Sequence, residues 1–170
     1  KAFPMWLMTD PSSNPVSLKK FDDADVFRIV HFPSHKELKG TRYVDAAVRN
    51  LRIGGMELEY ITGPMSNREV LEQLEKAHIV VDQFTHTFGL LTVEAMSRGC
   101  VVICRMEKWA RDVWPDVPLV NCNPEDLEQT LKELLENPEI MKEIAEKSMA
   151  WHRRYAIPDV VGKFLTGVFQ

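Results

Sequence analysis

The stretch HIVVDQFTHTFGLLTVEAMSRGCVVIC, residues 78–104, places two short β-branched runs on either side of an apolar segment. HIVV and VVIC each have the length and composition of a buried strand. The segment between them follows Gly89 and is closed by Gly99, which favours a short helix. A strand, a helix and a second strand in this order predict a parallel βαβ unit with a right-handed crossover.

The same alternation continues on both sides of this unit. Further strands are predicted in VFRIVHF, ELEYI and PLVN, at residues 26–32, 57–61 and 118–121. Two helices are predicted between the first three strands of the chain. The first ends at Gly54 and Gly55, and its apolar face consists of Val44, Ala47, Val48 and Leu51. The second begins at Ser66, which can form a capping box with Glu69.

The alternation predicts an α/β fold, namely a Rossmann-like three-layer sandwich of five or six parallel strands with helices on both faces and extra C-terminal helices. The extra helices are expected to start at Asn123 and Pro124 and again near Pro138. A last segment after Pro158 has a wide apolar face. We interpret this face as packing on the chain's own sheet, with packing on a further domain as the alternative.

Composition is typical of one compact domain, since 45% of the 170 residues are hydrophobic and 27% are charged. Residues 1–25 are rich in Pro, Ser and Asp, and we interpret them as a connector or lead-in to a domain at 26–170. The chain begins with Lys1 rather than Met. We therefore expect a fragment of a longer protein, or a chain whose leader or tag is left out of the numbering.

Charge and cysteine usage exclude several classes of partner. The net charge of −4 offers no basic field for nucleic acid or for an anionic membrane, so any phosphate site must be local. No apolar stretch approaches the length of a bilayer span. The three cysteines lack the paired spacing of a zinc ribbon, which favours a reduced, cytoplasmic location.

Ligands of open parallel sheets bind beyond the carboxyl ends of the strands, so the loops after the predicted strands are the candidate sites. The first loop, HFPSHKELKG at 31–40, carries Ser34, His35, Lys36 and Lys39 just before a helix. Amides at a helix N-terminus attract anions, so this loop is a candidate phosphate cradle. An ordinary solvated loop is the alternative.

Two further loops carry candidate residues. In TGPMSN, Gly63 either permits close approach of a flat ligand or simply makes a turn. The loop after HIVV leads into the helix that contains Glu94, an acid in apolar surroundings that needs a partner. Arg98, four residues later, is one candidate partner, and a ligand diol that donates two hydroxyl hydrogen bonds is the other.

Taken together, PSHKELKGT, AHIVVDQ and FGLLTVEAMSRGCVVI resemble the donor-binding C-terminal domain of GT-B glycosyltransferases, in the large retaining family (family 4-like, group 1). The resemblance spans roughly residues 27 to 170. It implies that Glu94 binds the ribose hydroxyls of a nucleotide and that Lys39 binds the donor diphosphate. It also places Pro64, Phe88, Gly89 and Leu90 with Ser34, His35 and Gly63 in the donor site.

The resemblance further implies an activity and its partners. The whole enzyme would transfer a hexose from a UDP or GDP sugar, without a metal or other cofactor, to an acceptor of unknown identity. An N-terminal Rossmann-like domain is expected to hold that acceptor, and any membrane contact is expected only through that domain. The acidic run at 22–25 precedes the first predicted strand, so we interpret it as a loop rather than a metal site.

Two positions depart from the family pattern. Pro33 and Ser34 stand where a Gly-Arg pair is usual, and His86 stands where a glutamate is usual. A serine hydroxyl carries no charge, so it binds a phosphate more weakly than the guanidinium of an arginine does. His86 either replaces a sugar-contacting acid in catalysis or is a surface histidine. A noncatalytic nucleotide- or partner-binding module with the same fold is therefore the alternative function.

Overall fold

The computed structural model describes Thr9 and residues 16–22, 24–85 and 87–156. Within these residues, five parallel strands form one sheet in the order β2-β1-β3-β4-β5. The strands are β1 Phe27–His31, β2 Leu58–Thr62, β3 Ile79–Val81, β4 Val101–Cys104 and β5 Val120–Asn121. The predicted α/β fold with its parallel sheet is confirmed.

The order of the strands reverses between β1 and β3. The chain runs outward from β1 to β2, returns to place β3 on the other side of β1, and continues outward to β4 and β5. The loops that follow β1 and β3 therefore leave the sheet side by side and then diverge. This switch point is where ligands bind in open parallel sheets.

Among the described residues, four helices connect successive strands, two more follow β5, and together they cover both faces of the sheet. They are α1 Thr41–Ile53, α2 Asn67–Lys76, α3 Leu90–Ser97, α4 Lys108–Val113, α5 Leu127–Leu135 and α6 Pro138–Tyr155. The capping box between Ser66 and Glu69 is present at the start of α2. None of the helices among the described residues is long and apolar enough to cross a membrane.

Alternating strand residues build two separate apolar cores, one on each face of the sheet. The first core joins Ile29, Ile79 and Ile103 to α1 and α5. The second core joins Val30, Val80, Val102 and Cys104 to α2 and α3. Both cores include residues of α6, which contributes Met141 to the first and Trp151 to the second. The result is the predicted three-layer arrangement.

Some segments differ in extent from the sequence prediction. PLVN contributes only the two residues Val120–Asn121 to the sheet. The short helix α4 was not predicted, and a 3-10 turn at Pro124–Asp126 precedes α5. Within the predicted lead-in, a 3-10 turn at Leu18–Phe21 packs Phe21 into the first core. The apolar segment predicted after Pro158 lies outside the described residues.

Gly40 connects the loop after β1 to the start of α1. Its φ of 70° lies in the left-handed region, which an L side chain adopts only at a cost. A Cβ atom at this position would lie 2.6 Å from Cδ2 of Phe84, a buried ring of the first core. Gly55 also has a positive φ, of 87°, but no atom lies within 4 Å of the position of its Cβ.

Replacing Gly40 should therefore destabilise the fold more than replacing Gly55. We expect Gly55→Ala to lower the free energy of unfolding by about 1 kcal/mol through backbone strain. We expect Gly40→Ala to lower it by about 2–4 kcal/mol, because a clash with Phe84 is added. Urea unfolding followed by circular dichroism measures both values. Equal losses in the two variants would contradict the close packing at Gly40.

Candidate functional site

An ion pair spans the switch point of the sheet. Nζ of Lys39, in the loop after β1, lies 2.5 Å from Oδ1 of Asp82, the residue that follows β3. The Asp82 side chain is fully buried, and 16% of the Lys39 side chain is exposed. Removing both charges from water is costly, so the pair requires further hydrogen bonds to be tolerated. The lysine predicted to bind phosphate thus already contacts an internal carboxylate.

The second oxygen of Asp82 binds the N-terminus of α3. The Thr92 hydroxyl donates to Oδ2 at 2.7 Å, and the main-chain amide of Gly89 donates to the same atom at 3.3 Å. Gly89 is the N-cap residue of α3, so its amide points out of the helix end. Asp82 therefore joins Lys39, to which the resemblance assigns the donor diphosphate, to the start of α3. That helix start carries Gly89 and Leu90 of the implied donor site.

Successive turns of the loop after β1 determine the position of Lys39. Its main-chain amide donates to the carbonyl of His35 at 2.9 Å. The amides of Gly40 and Thr41 donate to the main-chain carbonyls of Glu37 and Lys36, respectively. The loop is thus a compact, hydrogen-bonded structure rather than an extended one. The side chains of Ser34 and His35 are exposed on it, whereas Lys39 is turned toward the sheet edge.

His31 forms the floor of the site at the end of β1. It is fully buried, its Nδ1 donates to the carbonyl of Val81 at 2.8 Å, and its Nε2 lies 2.9 Å from the Thr41 hydroxyl. Burial lowers the pKa of His31, although the carbonyl bond and the charge of Asp82 oppose this shift. A neutral ring with both nitrogens bonded links β1, β3 and α1 without adding positive charge.

Glu94 lies in the middle of α3 and is half-buried. Burial raises the pKa of its carboxyl, while a hydrogen bond from the Asn67 side chain and the charge of Arg98 act in the opposite direction. Of the two candidate partners, Arg98 does not form an ion pair with the Glu94 carboxylate in the described part of the chain. The guanidinium donates to the main-chain carbonyl of Glu94 at 3.1 Å and to the Ser97 hydroxyl at 2.8 Å. The described ion pairs include none between the two side chains.

The loop after β2 adjoins Glu94 through Asn67, the first residue of α2. Gly63, at the start of this loop, has a φ of 120°, and no atom lies within 4 Å of the position of a Cβ there. Pro64 is exposed. The loop therefore leaves open space beside its glycine.

The remaining candidates on the loop after β3 have different environments. Phe88 is 7% exposed and packs edge-on against Trp114 and Trp151, so its ring belongs to the second core. Leu90 is 46% exposed at the first position of α3. The side-chain amide of Gln83 donates to the Thr87 carbonyl and closes the loop. His86 lies outside the described residues.

An open cleft of about 520 Å³ lies beside the start of α1. Two basic and two acidic side chains line it together with a threonine: Lys36, Arg42, Glu37, Asp45 and Thr41. The opposite charges cancel, so this cleft has no preference for an anion. No cluster of three or more metal-ligating side chains occurs in the part of the chain that the structure describes.

Asp82 is the residue of the site that the sequence analysis missed. It directly follows a buried strand that leads to the switch point, which is the signal that could have identified it. Its partner Lys39 lies on another loop, 43 positions away in the sequence. The structure thus brings Lys39 to the start of α3 through Asp82, and Glu94 lies further along the same helix. Ser34 and His35 are exposed on the loop that carries Lys39.

Comparison with known proteins identifies the fold. The sequence matches no protein-family model, and no curated protein matches it. Solved structures do match. The C-terminal domain of LpcC, a group 1 glycosyl transferase from Francisella tularensis, is 17% identical with a TM-score of 0.53; the match covers 82% of this chain and 91% of that domain.

Two longer proteins are similar to this chain over about half of their length. WaaG, a glycosyltransferase of lipopolysaccharide biosynthesis, is 14% identical with a TM-score of 0.61 and coverage of 88% of this chain and 50% of its own. HepE from Anabaena, solved in complex with UDP-glucose, is 14% identical with a TM-score of 0.61 and coverage of 92% and 53%. The chain therefore has the fold of a C-terminal Rossmann-like domain of GT-B glycosyltransferases, which confirms the resemblance at the level of the fold.

The buried position of His31 predicts a pH dependence of stability. Its folded pKa is lowered, whereas the unfolded chain takes up a proton near pH 6.5, so stability falls as the pH drops below about 6.5. His78 and His152, also buried with lowered pKa values, add to this fall. We expect His31→Gln to reduce the slope by up to about 1.4 kcal/mol per pH unit.

Urea unfolding of the two proteins between pH 5 and pH 8 measures this effect. Above pH 7 the histidine is neutral in both the folded and the unfolded state, so the slopes there should coincide and provide the internal control. Parallel stability curves below pH 6.5 would contradict a neutral, buried His31.

Proposed function

We propose that this chain is the donor-binding domain of a retaining glycosyltransferase, which transfers a hexose from a UDP or GDP sugar to an acceptor. The proposal is based on the contacts at the switch point, where Lys39 and the N-terminus of α3 both bind Asp82 and therefore lie close together. A cation and a helix N-terminus together attract phosphate groups. The UDP and UDP-glucose complexes of HepE, which has a similar fold, support a uridine nucleotide as the first ligand to test.

In the proposed reaction, the enzyme stabilises negative charge as the diphosphate leaves the sugar. Lys39, the loop amides and the start of α3 would supply this stabilisation from fixed positions, without a metal ion. Glu94 would accept hydrogen bonds from the ribose hydroxyls, which offset the cost of its partial burial. His86 would contact the donor sugar in place of the glutamate that is usual in the family. The leaving phosphate would assist proton transfer from the acceptor.

The proposed enzyme includes a second Rossmann-like domain that binds the acceptor. The match of this chain to about half of WaaG and of HepE supports this arrangement. Any membrane contact would occur through that other domain. We propose a cytoplasmic location, which agrees with three cysteines that are all free and buried: Cys100, Cys104 and Cys122.

A noncatalytic nucleotide-binding module is the second candidate, and the ion pair at the switch point favours it. The charge of Lys39 is balanced by Asp82, so the site has less positive charge for a leaving diphosphate. To distinguish a glycosyltransferase from a noncatalytic module, full-length protein is incubated with UDP or GDP sugars and candidate acceptors. Release of free UDP or GDP that requires an acceptor would exclude the noncatalytic module.

The contribution of Lys39 can be tested by a charge-matched comparison. We expect Lys39→Gln to weaken the binding of UDP or GDP at least about tenfold, because a charge-assisted hydrogen bond to phosphate is lost. Lys36→Gln removes the same charge from an exposed position on the same loop and should change affinity by no more than about twofold. Isothermal titration calorimetry in EDTA measures the affinity of the wild type and of both variants for UDP and GDP. No saturable binding to the wild type, or equal losses in the two variants, would contradict the proposal.

The contribution of Glu94 can be tested with a ligand that lacks one ribose hydroxyl. We expect 2′-deoxy-UDP to bind the wild-type protein about tenfold more weakly than UDP, because a hydrogen bond to a carboxylate is lost. In Glu94→Gln the two ligands should differ by less than about threefold, since that charge-assisted bond is already weakened. The same discrimination in both proteins would show that Glu94 does not contact the ribose.

A further inference from the structure

Asp82 already places a negative charge against the two groups that the proposed function assigns to phosphate. One of its oxygens lies 2.5 Å from the Lys39 ammonium, and the other accepts from the Gly89 amide and the Thr92 hydroxyl. The side chain is fully buried, so water does not screen its charge. An internal carboxylate thus already uses hydrogen bonds that the Lys39 ammonium and the start of α3 could make to phosphate.

We propose that Asp82 is a built-in counter-anion that limits the affinity of the site for the donor's phosphate groups and for the diphosphate product. This inference rests on the proposed function. Asp82 positions the Lys39 ammonium and the start of α3, and at the same time it keeps the local net charge near zero. A diphosphate then binds through hydrogen bonds without a net electrostatic gain and leaves readily after transfer.

The charges around the cradle support this role. Lys39 contributes one positive charge and Asp82 one negative charge. His31, which bonds the Val81 carbonyl and the Thr41 hydroxyl, is neutral at neutral pH because burial lowers its pKa. Ser34, on the same loop as Lys39, is uncharged. The sum over these four side chains is zero, whereas phosphate sites commonly rely on an excess of positive charge.

The geometry allows phosphate and Asp82 to share the same ammonium. The recorded contact uses one of the three N–H groups of Lys39, and 16% of this side chain remains accessible. A phosphate oxygen on a second N–H group would lie roughly 4–5 Å from the Asp82 carboxylate, as two hydrogen bonds to one nitrogen require. Two anions at that separation in a poorly solvated site repel each other strongly.

The variant that tests this role is Asp82→Asn. Asparagine has nearly the same shape as aspartate. Its amide oxygen can face Lys39 while its NH2 group donates to the Thr92 hydroxyl, and the Gly89 amide then loses its acceptor. The change removes the negative charge and leaves Lys39 without an anionic partner. We expect the variant to bind UDP and inorganic pyrophosphate at least about tenfold more tightly than the wild type, because the repulsion is gone.

Thr92→Val is the matched control. It removes one hydrogen bond to the same carboxylate without changing the net charge of the site, so we expect pyrophosphate and UDP affinities within about twofold of the wild type. Both variants should lose stability. Only Asp82→Asn should gain affinity, and only in that variant should pyrophosphate raise the unfolding temperature more than in the wild type. A purely structural role for Asp82 predicts no gain in affinity.

Calorimetry and thermal unfolding of wild type and both variants, at low and moderate salt, separate the outcomes. If the wild type binds UDP and a folded Asp82→Asn binds it equally or more weakly, the counter-anion role is wrong and the proposed function stands. If Asp82→Asn gains pyrophosphate binding while UDP and GDP do not bind the wild type, the counter-anion role stands and the proposed function fails. If no protein binds either ligand, both are wrong.

Discussion

The polar contacts across the switch point hold the two halves of the sheet together where their backbone pairing ends. β1 and β3 are paired through Ile29 and Val30 alone, because the loops that follow them must diverge. Beyond those pairs, His31 donates to the Val81 carbonyl and Lys39 binds Asp82. Buried groups of this kind are tolerated only when their hydrogen bonds are made, so each loop is fixed relative to the other.

This arrangement links the stability of the domain to the chemistry of its edge. A buried ion pair contributes little net stability, since the cost of removing two charges from water offsets most of their attraction. Apolar side chains would join the halves of the sheet at lower cost. In the proposed function, Lys39 and Asp82 stand at the switch point because the ligand needs a fixed cation there, and Asp82 orients that cation.

The sequence predicts the layers of the fold more completely than it predicts the site. Strands and helices follow from the spacing of apolar residues, which is a local property, and the capping box at Ser66 follows from four consecutive residues. The helix α4 escapes such analysis because its six residues are too few to show a helical period. Asp82 was not identified from the sequence because its role depends on Lys39, which is 43 positions away. The two residues meet only because β1 and β3 are neighbours in the folded sheet. The choice between Arg98 and a ligand diol as the partner of Glu94 could not be made from the sequence, because helical spacing does not determine which atoms a long side chain reaches.

The two ends of the proposed donor site lie along a single helix. Gly89 caps α3 and Glu94 lies five positions further on, which corresponds to about 7 Å along the helix axis at the rise of an α-helix. A ribose joined to two phosphates spans a comparable length. A nucleotide lying alongside α3, with its phosphates at the N-terminus, would therefore bring its ribose close to Glu94. The half-buried carboxylate, which Arg98 does not neutralise through an ion pair, would then obtain from ribose hydroxyls the hydrogen bonds that burial denies it from water.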